Sequence, residues 1–517
     1  MDLKINKETV SASEHIYDGM QEQGVELDYI LPDYYPDIFR LVRCETIPSI
    51  TDYAVSGDRL TYELTCDIRI LYCSEGSSLI QCVCQRQRYS KSLDLGRFCE
   101  NPTVSLCPKS DHFNCRAVNK RRLDVRGAVS VKIKVDCDKK QEVISDVFGM
   151  NVQLKKQALR FAAHKLTAEK NLQLTEETEL SASQPPAVNI VSCRCKASEC
   201  DKKMISGKLL AKGEVDISLL YSYEKDGEGA LEPLSFSVPY SQIIDIDGLD
   251  DSFECGVTAE VVSCDIIPAA DKNGDNKLLK CELELRIICR AVKIASVTLG
   301  TDAFSTTYPC EITSSEITAE QLPSVISESF RHTASIAEGD SVPQEIYSMW
   351  CTPKNINTRL SDDGSGLFIS GMLTYTMAAK DASGMIIMPD RDEAFEQEIE
   401  LPDDCRNSRI TAEIGVGNVS YNISPENVLT VKAELTAKLH SCASASMTGL
   451  TDIMIDDTTK KERDGDYAIK LYYGVENEDV WDIAKRYSTC VSAVMEENEL
   501  MGDRLESGGM LLIPIIS

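Results

Sequence analysis

The chain has 517 residues, 43% hydrophobic and 26% charged; that is the composition of folded domains, in a chain long enough for roughly three to five of them. Lys+Arg of 54 against Asp+Glu of 83 leaves a net charge of −29, which repels nucleic acid and anionic lipid and argues against both as partners. No stretch approaches the roughly 18 apolar residues of a membrane span, and Met1-Asp2-Leu3-Lys4-Ile5-Asn6 lacks the apolar core of a secretory signal, so a cytoplasmic start without membrane insertion is expected.

The first distinctive segment is Leu31-Pro32-Asp33-Tyr34-Tyr35-Pro36-Asp37-Ile38. A block from Gly57 to Tyr72 follows, and it returns from Gly207 to Tyr221 and, degenerate, from Gly366 to Met377, at a spacing of about 150 residues that marks a recurring structural unit. Within the second block Leu209, Ala211, Gly213, Val215, Ile217 and Leu219 alternate with polar residues, the period-two pattern of a strand with one buried face. The third copy is the weakest, with Ala379 where the first two carry Tyr72 and Tyr221. Some 50–58 residues after each block a polar turn at Asn119, Asn276 or Asn427 feeds another alternating strand: Leu123 to Val135, Leu279 to Cys289, and Leu429 to Leu439. Asp271-Lys272-Asn273-Gly274-Asp275 reads as a hairpin turn, because its glycine sits at the fourth position instead of the sixth and strands flank it. Polar, Pro-containing stretches at Glu176 to Pro186 and Ser314 to Pro323 fit linkers or the first strands of the next unit.

The 21 cysteines show no regular framework and read mostly as reduced, half-buried strand residues. Cys82-Val83-Cys84 and Cys193-Arg194-Cys195 with Cys200 are the only clusters; i and i+2 share a strand face, yet a Cys-x-Cys without a second pair falls short of a zinc signature. The five histidines, His15, His112, His164, His332 and His440, show no metal-ligand spacing. No metal site, no cofactor and no catalytic residue is therefore expected, and the phosphate-loop, nucleophile-elbow and His-Glu-x-x-His signatures are missing.

Residues 456–466 (Asp-Asp-Thr-Thr-Lys-Lys-Glu-Arg-Asp-Gly-Asp) hold nothing to bury and read as a solvated tether. Beyond it Ile469, Leu471 and Tyr473 alternate as a strand; Val480, Ile483, Ala484 and Tyr487 mark one helix face with Asp479 as its cap; Ala493 to Glu497 suggests a second helix and Met510 to Pro514 a closing strand. The expected architecture is mainly β: three tandem β-rich, sandwich-like domains over 1–165, 166–308 and 309–455, the linker 456–466, and a βααβ domain over 467–517.

The terminal pattern, Val480-Trp481-Asp482-Ile483-Ala484-Lys485-Arg486-Tyr487, Val491, Val494, Glu497-Asn498-Glu499-Leu500, Leu505 and Leu511-Leu512-Ile513-Pro514, resembles the LysM domain over its whole length. That resemblance implies binding of N-acetylglucosamine glycans such as peptidoglycan between two loops, here Asn477-Glu478-Asp479-Val480 and Asn498-Glu499-Leu500-Met501-Gly502. Two departures stand out: Asn477 replaces the usual Gly and Asp479 the usual Ser or Thr, and the added carboxylates of Glu476, Glu478 and Asp479 suit a protein partner better than a sugar. Trp481 reads as a core residue of this small domain before a sugar-stacking one.

The paired strand signatures and the Leu31–Ile38 segment resemble the uncharacterised repeat found ahead of LysM in clostridial spore proteins, and the whole arrangement is similar to the clostridial spore coat morphogenetic family. The resemblance implies a non-enzymatic scaffold made in the mother cell and recruited to the forespore surface, whose LysM domain engages the coat-base ATPase or other coat proteins. The alternative is a peptidoglycan-binding protein of the cell wall or spore cortex with β-domains as spacers. A LysM-targeted wall hydrolase would need a catalytic acid in a cleft, whereas the carboxylates here lie scattered along strands.

Overall fold

Alternating runs that are too long for one ordinary strand decide the architecture. The computed structural model describes residues 3–515 except 100, 199, 200, 363, 403, 404, 406, 407 and 463–467. Six strands open the chain: β1 (Lys4–Ile30), β2 (Arg40–Ser56), β3 (Arg59–Cys73), β4 (Ile80–Asp94), β5 (Thr103–Asn119) and β6 (Arg122–Phe148), in antiparallel sheets β1-β6-β5 and β2-β3-β4. Next come β7 (Val152–Glu179), β8 (Asn189–Ala197), β9 (Asp201–Ile205), β10 (Lys208–Lys225), β11 (Glu228–Asp245), β12 (Glu254–Ala269) and β13 (Leu278–Ser305), in sheets β12-β13-β7 and β11-β10-β8 with β9 on β10. Then β14 (Cys310–Glu320), β15 (Ser324–Glu338), β16 (Glu345–Leu360), β17 (Gly366–Lys380), β18 (Ile386–Ile387), β19 (Asp390–Glu400), β20 (Arg409–Ile423), β21 (Val428–Cys442) and β22 (Ser444–Ile455) form sheets β15-β21-β20, β16-β17-β18 with β19 on β17, and the ribbon β14-β22.

Three hydrophobic clusters each fill the space between two of these sheets, giving a first, second and third sandwich. The repeated blocks are the central strands β3, β10 and β17, and Leu209, Ala211, Val215, Ile217 and Leu219 are all buried as their alternation requires. The second landmark supplies β6, β13 and β21, the central strands of the facing sheets. Tyr72 donates its hydroxyl to the Pro36 carbonyl and Tyr221 does the same to Pro185, so the first two sandwiches tie the same corner with the same side chain. Ala379 removes that tie from the third.

The sandwiches are not strung out in a line. β1 and β6 run on past their sandwich, as do β7 and β13, and the expected boundary between residues 165 and 166 lies in the middle of β7. Register shifts at His15/Tyr17 and Lys293/Ile294 bend the two ribbons where they leave the sandwich, as bulges do. Their far ends meet the β14-β22 ribbon in a three-ribbon stalk, with Val10, Val143, Leu159, Phe161, Leu299, Ile317 and Ala319 packed at its axis and Ile144, Val147, Ala303, Leu450 and Ile453 below. Of the two stretches read as linkers or first strands, Ser314 to Glu320 belongs to β14, while Glu176 to Glu179 ends β7 and the residues on to Pro186 form the turn that follows it.

The heads meet as well. Leu71, Cys73 and Ile80 of the first sandwich, Val191, Leu220 and Leu231 of the second, and Ala378, Ile386 and Met388 of the third form one buried cluster. Polar contacts seal it: Arg43 with Asp390 at 2.8 Å, Ser222 Oγ donating to the Ile80 carbonyl at 3.1 Å, and the Arg194 guanidinium 4.2 Å over the Trp350 ring. Between heads and stalk, Arg409 pairs with Asp136 at 2.8 Å, and Lys165 with Glu320, again across sandwiches. The turn at Asp271 is a hairpin turn whose carboxylate accepts the Asn273 and Asp275 N–H groups.

Candidate partner-binding surface

After residue 467 the chain forms β23 (Ile469–Gly474), α1 (Val480–Arg486), α2 (Val491–Glu497) and β24 (Gly509–Pro514), with β23 and β24 antiparallel. Asp479 caps α1: one carboxylate oxygen accepts the Trp481 N–H at 2.9 Å, and the other accepts Lys155 Nζ at 2.6 Å. Burial opposes the charge on Asp479, but Lys155 and the Trp481 amide outweigh it and hold the carboxyl below its usual range. Asn477 sits at φ +67°, the left-handed backbone in which it stands in for glycine.

The two loops named from the sequence lie at this end of the module, but most of their side chains are engaged internally. Glu478 accepts the Tyr472 hydroxyl at 2.6 Å and the Val475 N–H at 3.1 Å, closing its own turn. Val480 is buried in the module core. Asn498 donates to the Val494 and Leu512 carbonyls and accepts the Leu512 N–H at 2.7 Å, bracketing α2 to β24. Leu500 packs against the core, and Glu499 adopts φ +52°. Asn477, Glu499, Met501 and Gly502 remain exposed, Met501 at 95%.

Ile469, Leu471 and Tyr473, read as an alternating strand, do lie on one, β23, and they point to solvent, with Leu471 66% and Tyr473 74% exposed. Lys470 and Tyr472 face the helices instead, the Lys470 ammonium 5.9 Å over the Tyr487 ring and Tyr472 edge-on to the same ring at 5.7 Å. The reason is β24, whose Leu511 and Ile513 already fill the inner face opposite Tyr472 and Lys470. Met510, 67% exposed and opposite Tyr473, extends the outer stripe, and exposed Val475 continues it into the loop. A large apolar stripe held open on a small polar module has the character of an interaction surface.

The segment expected to be a free tether is anchored where it is described. Asp456 N–H donates to the Pro309 carbonyl, Lys461 N–H to Thr307, and Lys461 Nζ to the Ser305 carbonyl at 2.7 Å and Ser488 Oγ at 3.2 Å. The module itself sits on the end of the β7–β13 ribbon. Phe304 of β13 enters the module core, edge-on to Trp481 at 5.0 Å, while the indole N–H donates to Asp302 at 2.7 Å and Lys485 pairs with both oxygens of Asp302. Trp481, 7% exposed, is thus a core residue that also docks the module. Sequence reasoning missed Phe304 and Asp302, which lie some 180 residues away and show no signal of their own beyond strand alternation.

No curated protein and no solved structure matches the chain. Residues 186–267, which span β8 to most of β12, match the family model described as SipL, SPOCS domain, and this match ties the chain to a sporulation-related protein family.

Proposed function

We propose that the protein is a non-enzymatic scaffold of spore-envelope assembly, in which three interlocked β-sandwiches form a rigid body and a LysM-like module presents an apolar face to a coat-base protein, the morphogenetic ATPase of the forespore surface. One observation carries this reading: the outward stripe Leu471, Tyr473, Val475 and Met510 on a module already fixed to the body by Trp481, Lys485 and Asp479. Protein interfaces favour apolar centres that contain aromatic residues and Met, and Trp481 is turned to docking the module on Phe304 and Asp302. The match of residues 186–267 supports the sporulation setting. The mother-cell cytoplasm, with recruitment to the forespore, is the compartment this reading requires.

The test is a pull-down with the full chain, wild type and Leu471→Asp/Tyr473→Asp, against purified coat-base ATPase and against insoluble peptidoglycan. Capture of the ATPase by wild type, weakened at least tenfold in the variant, supports the reading. Retention on peptidoglycan without ATPase binding overturns it in favour of wall-glycan binding. Alanine at Glu478 or Asp479 is a poorer probe, because both side chains hold the loop and helix together.

A further inference from the structure

The second sandwich closes one side by bringing the edge strands of its two sheets together, β8 from one and β12 from the other. Cys193 and Cys195, i and i+2 on β8, share a face and both point at β12, where Cys264 meets them. The Cys193 Sγ lies 3.6 Å from that of Cys195 and 3.6 Å from that of Cys264, and the three sulfurs all fall within 4.8 Å of one another. Cys281, buried on neighbouring β13 opposite Ile266, stands outside this group of three but belongs to the core against which all three pack. Four sulfurs tetrahedrally placed about 2.3 Å from a zinc ion are about 3.8 Å apart. Ordinary core packing brings one or two cysteines together; this gathers three from two strands, with a fourth, Cys281, on the next strand.

The charges around the cluster point the same way. Arg194 lies between Cys193 and Cys195 on β8, and Arg69 of the first sandwich, paired in register with Cys84, belongs to the sandwich that β8 packs against. Among the described residues, Arg69 Nη1 is buried without a hydrogen-bond partner, with Glu45 Oε1 3.8 Å away, and Arg194 stacks on Trp350 and donates to Ser192 Oγ. A zinc ion held by four thiolates carries a net charge of −2, so it supplies the anion that these two guanidinium groups face.

We propose that Cys193, Cys195 and Cys264 bind a zinc ion, with Cys281 as the fourth sulfur. The three first-named ligands all lie within the segment 186–267. Each thiol loses a proton on binding, and the ion ties the two sheets at the open edge of the second sandwich, directly against the first. No redox step is involved, and the site is independent of what the C-terminal module binds.

The experiment uses the full chain purified under a phosphine reductant. Elemental analysis is expected to find about one zinc per chain in wild type, and Co2+ substitution to give the sulfur charge-transfer and tetrahedral ligand-field bands of a tetrathiolate site. Cys264→Ser and Cys193→Ala should lose the stoichiometric metal, and Arg69→Gln should weaken it about 10- to 100-fold, as loss of a supporting neighbour does. The double variant Cys82→Ser/Cys84→Ser, which removes the neighbouring pair on β4, should keep it. A chelator should lower the thermal midpoint of wild type but not of Cys264→Ser. The proposal fails if reduced wild type binds well below one equivalent, if its Co2+ spectrum lacks thiolate charge transfer, if Cys264→Ser retains the metal, or if Cys193 and Cys264 are found as a disulfide that phosphine does not open.

Discussion

Removing the Phe304 ring gives the most direct test of how the C-terminal module is held. Phe304 belongs to β13 but is 3% exposed inside the module core, so Phe304→Ala empties a buried site that the module alone cannot refill. Phe→Ala in a core costs about 3–5 kcal/mol, and the low end applies at a seam between two bodies, where the surroundings can close up. With about 1.4 kcal/mol per tenfold, ~3 kcal/mol raises the undocked fraction about 100-fold. Asp302→Ala acts separately, leaving the Trp481 indole N–H without its charged acceptor for about 1.5–3 kcal/mol, plus a half-exposed pair to Lys485 worth only ~0.2–1 kcal/mol. The readout is limited trypsin cleavage after Lys460 and Lys461, since Lys461 bridges Ser305 of the body to Ser488 of the module, and undocking removes the second of these anchors. Where opening is fast relative to cleavage, the rate follows the open population. Cleavage of either variant within twofold of wild type, with the circular-dichroism transition of the body unchanged, would refute the docking.

Other consequences concern the body. Gly229→Ala would drive its Cβ onto the Leu79 backbone, where Gly229 N–H now donates to Ser78 Oγ at 2.8 Å; overpacking of this kind costs about 1–3 kcal/mol and should split calorimetric unfolding into separate transitions for the first two sandwiches. Tyr72→Phe and Tyr221→Phe should each lower stability by about 0.5–1.5 kcal/mol in urea melts, while leaving the third sandwich's amide exchange unchanged, since it lacks this tie. Asp136 is held below the usual carboxylate range: burial opposes its charge, and Arg409 and His15 outweigh that. Its contribution is therefore fully present above the unfolded value of about 3.9 and fades as pH falls through the lower folded value. The difference in melting temperature between wild type and Asp136→Asn should stay constant from pH 5 to 7 and shrink below pH 4; a constant difference down to pH 2.5 would remove Asp136 from the neck.

The third sandwich is held by packing against its neighbours. It lacks the tyrosine tie, yet Ala378, Ile386 and Met388 bury against both neighbours, and β14-β22 supplies one of the three stalk ribbons.

Sequence alone determined the elements. The period-two pattern of Leu209 to Leu219 fixed a buried strand, the spacing of Val480, Ile483 and Ala484 fixed α1, and Asp479 marked its cap, because each depends on neighbours a few residues away. Tertiary structure decided everything that depends on which faces meet. Alternation says that Ile469, Leu471 and Tyr473 share a side, but only the prior filling of the inner side by Leu511 and Ile513 turns them outward. Cys193-x-Cys195 was visible as a pair, and Cys200 lies outside the described residues, while Cys264, 71 residues on, joins the pair only because two sheets close edge to edge. The same holds for the stalk, the common head cluster and the seat of Trp481 on Phe304: local spacing encodes a strand or a helix, but the burial of one apolar face against another is settled by long-range packing, which no window of sequence contains.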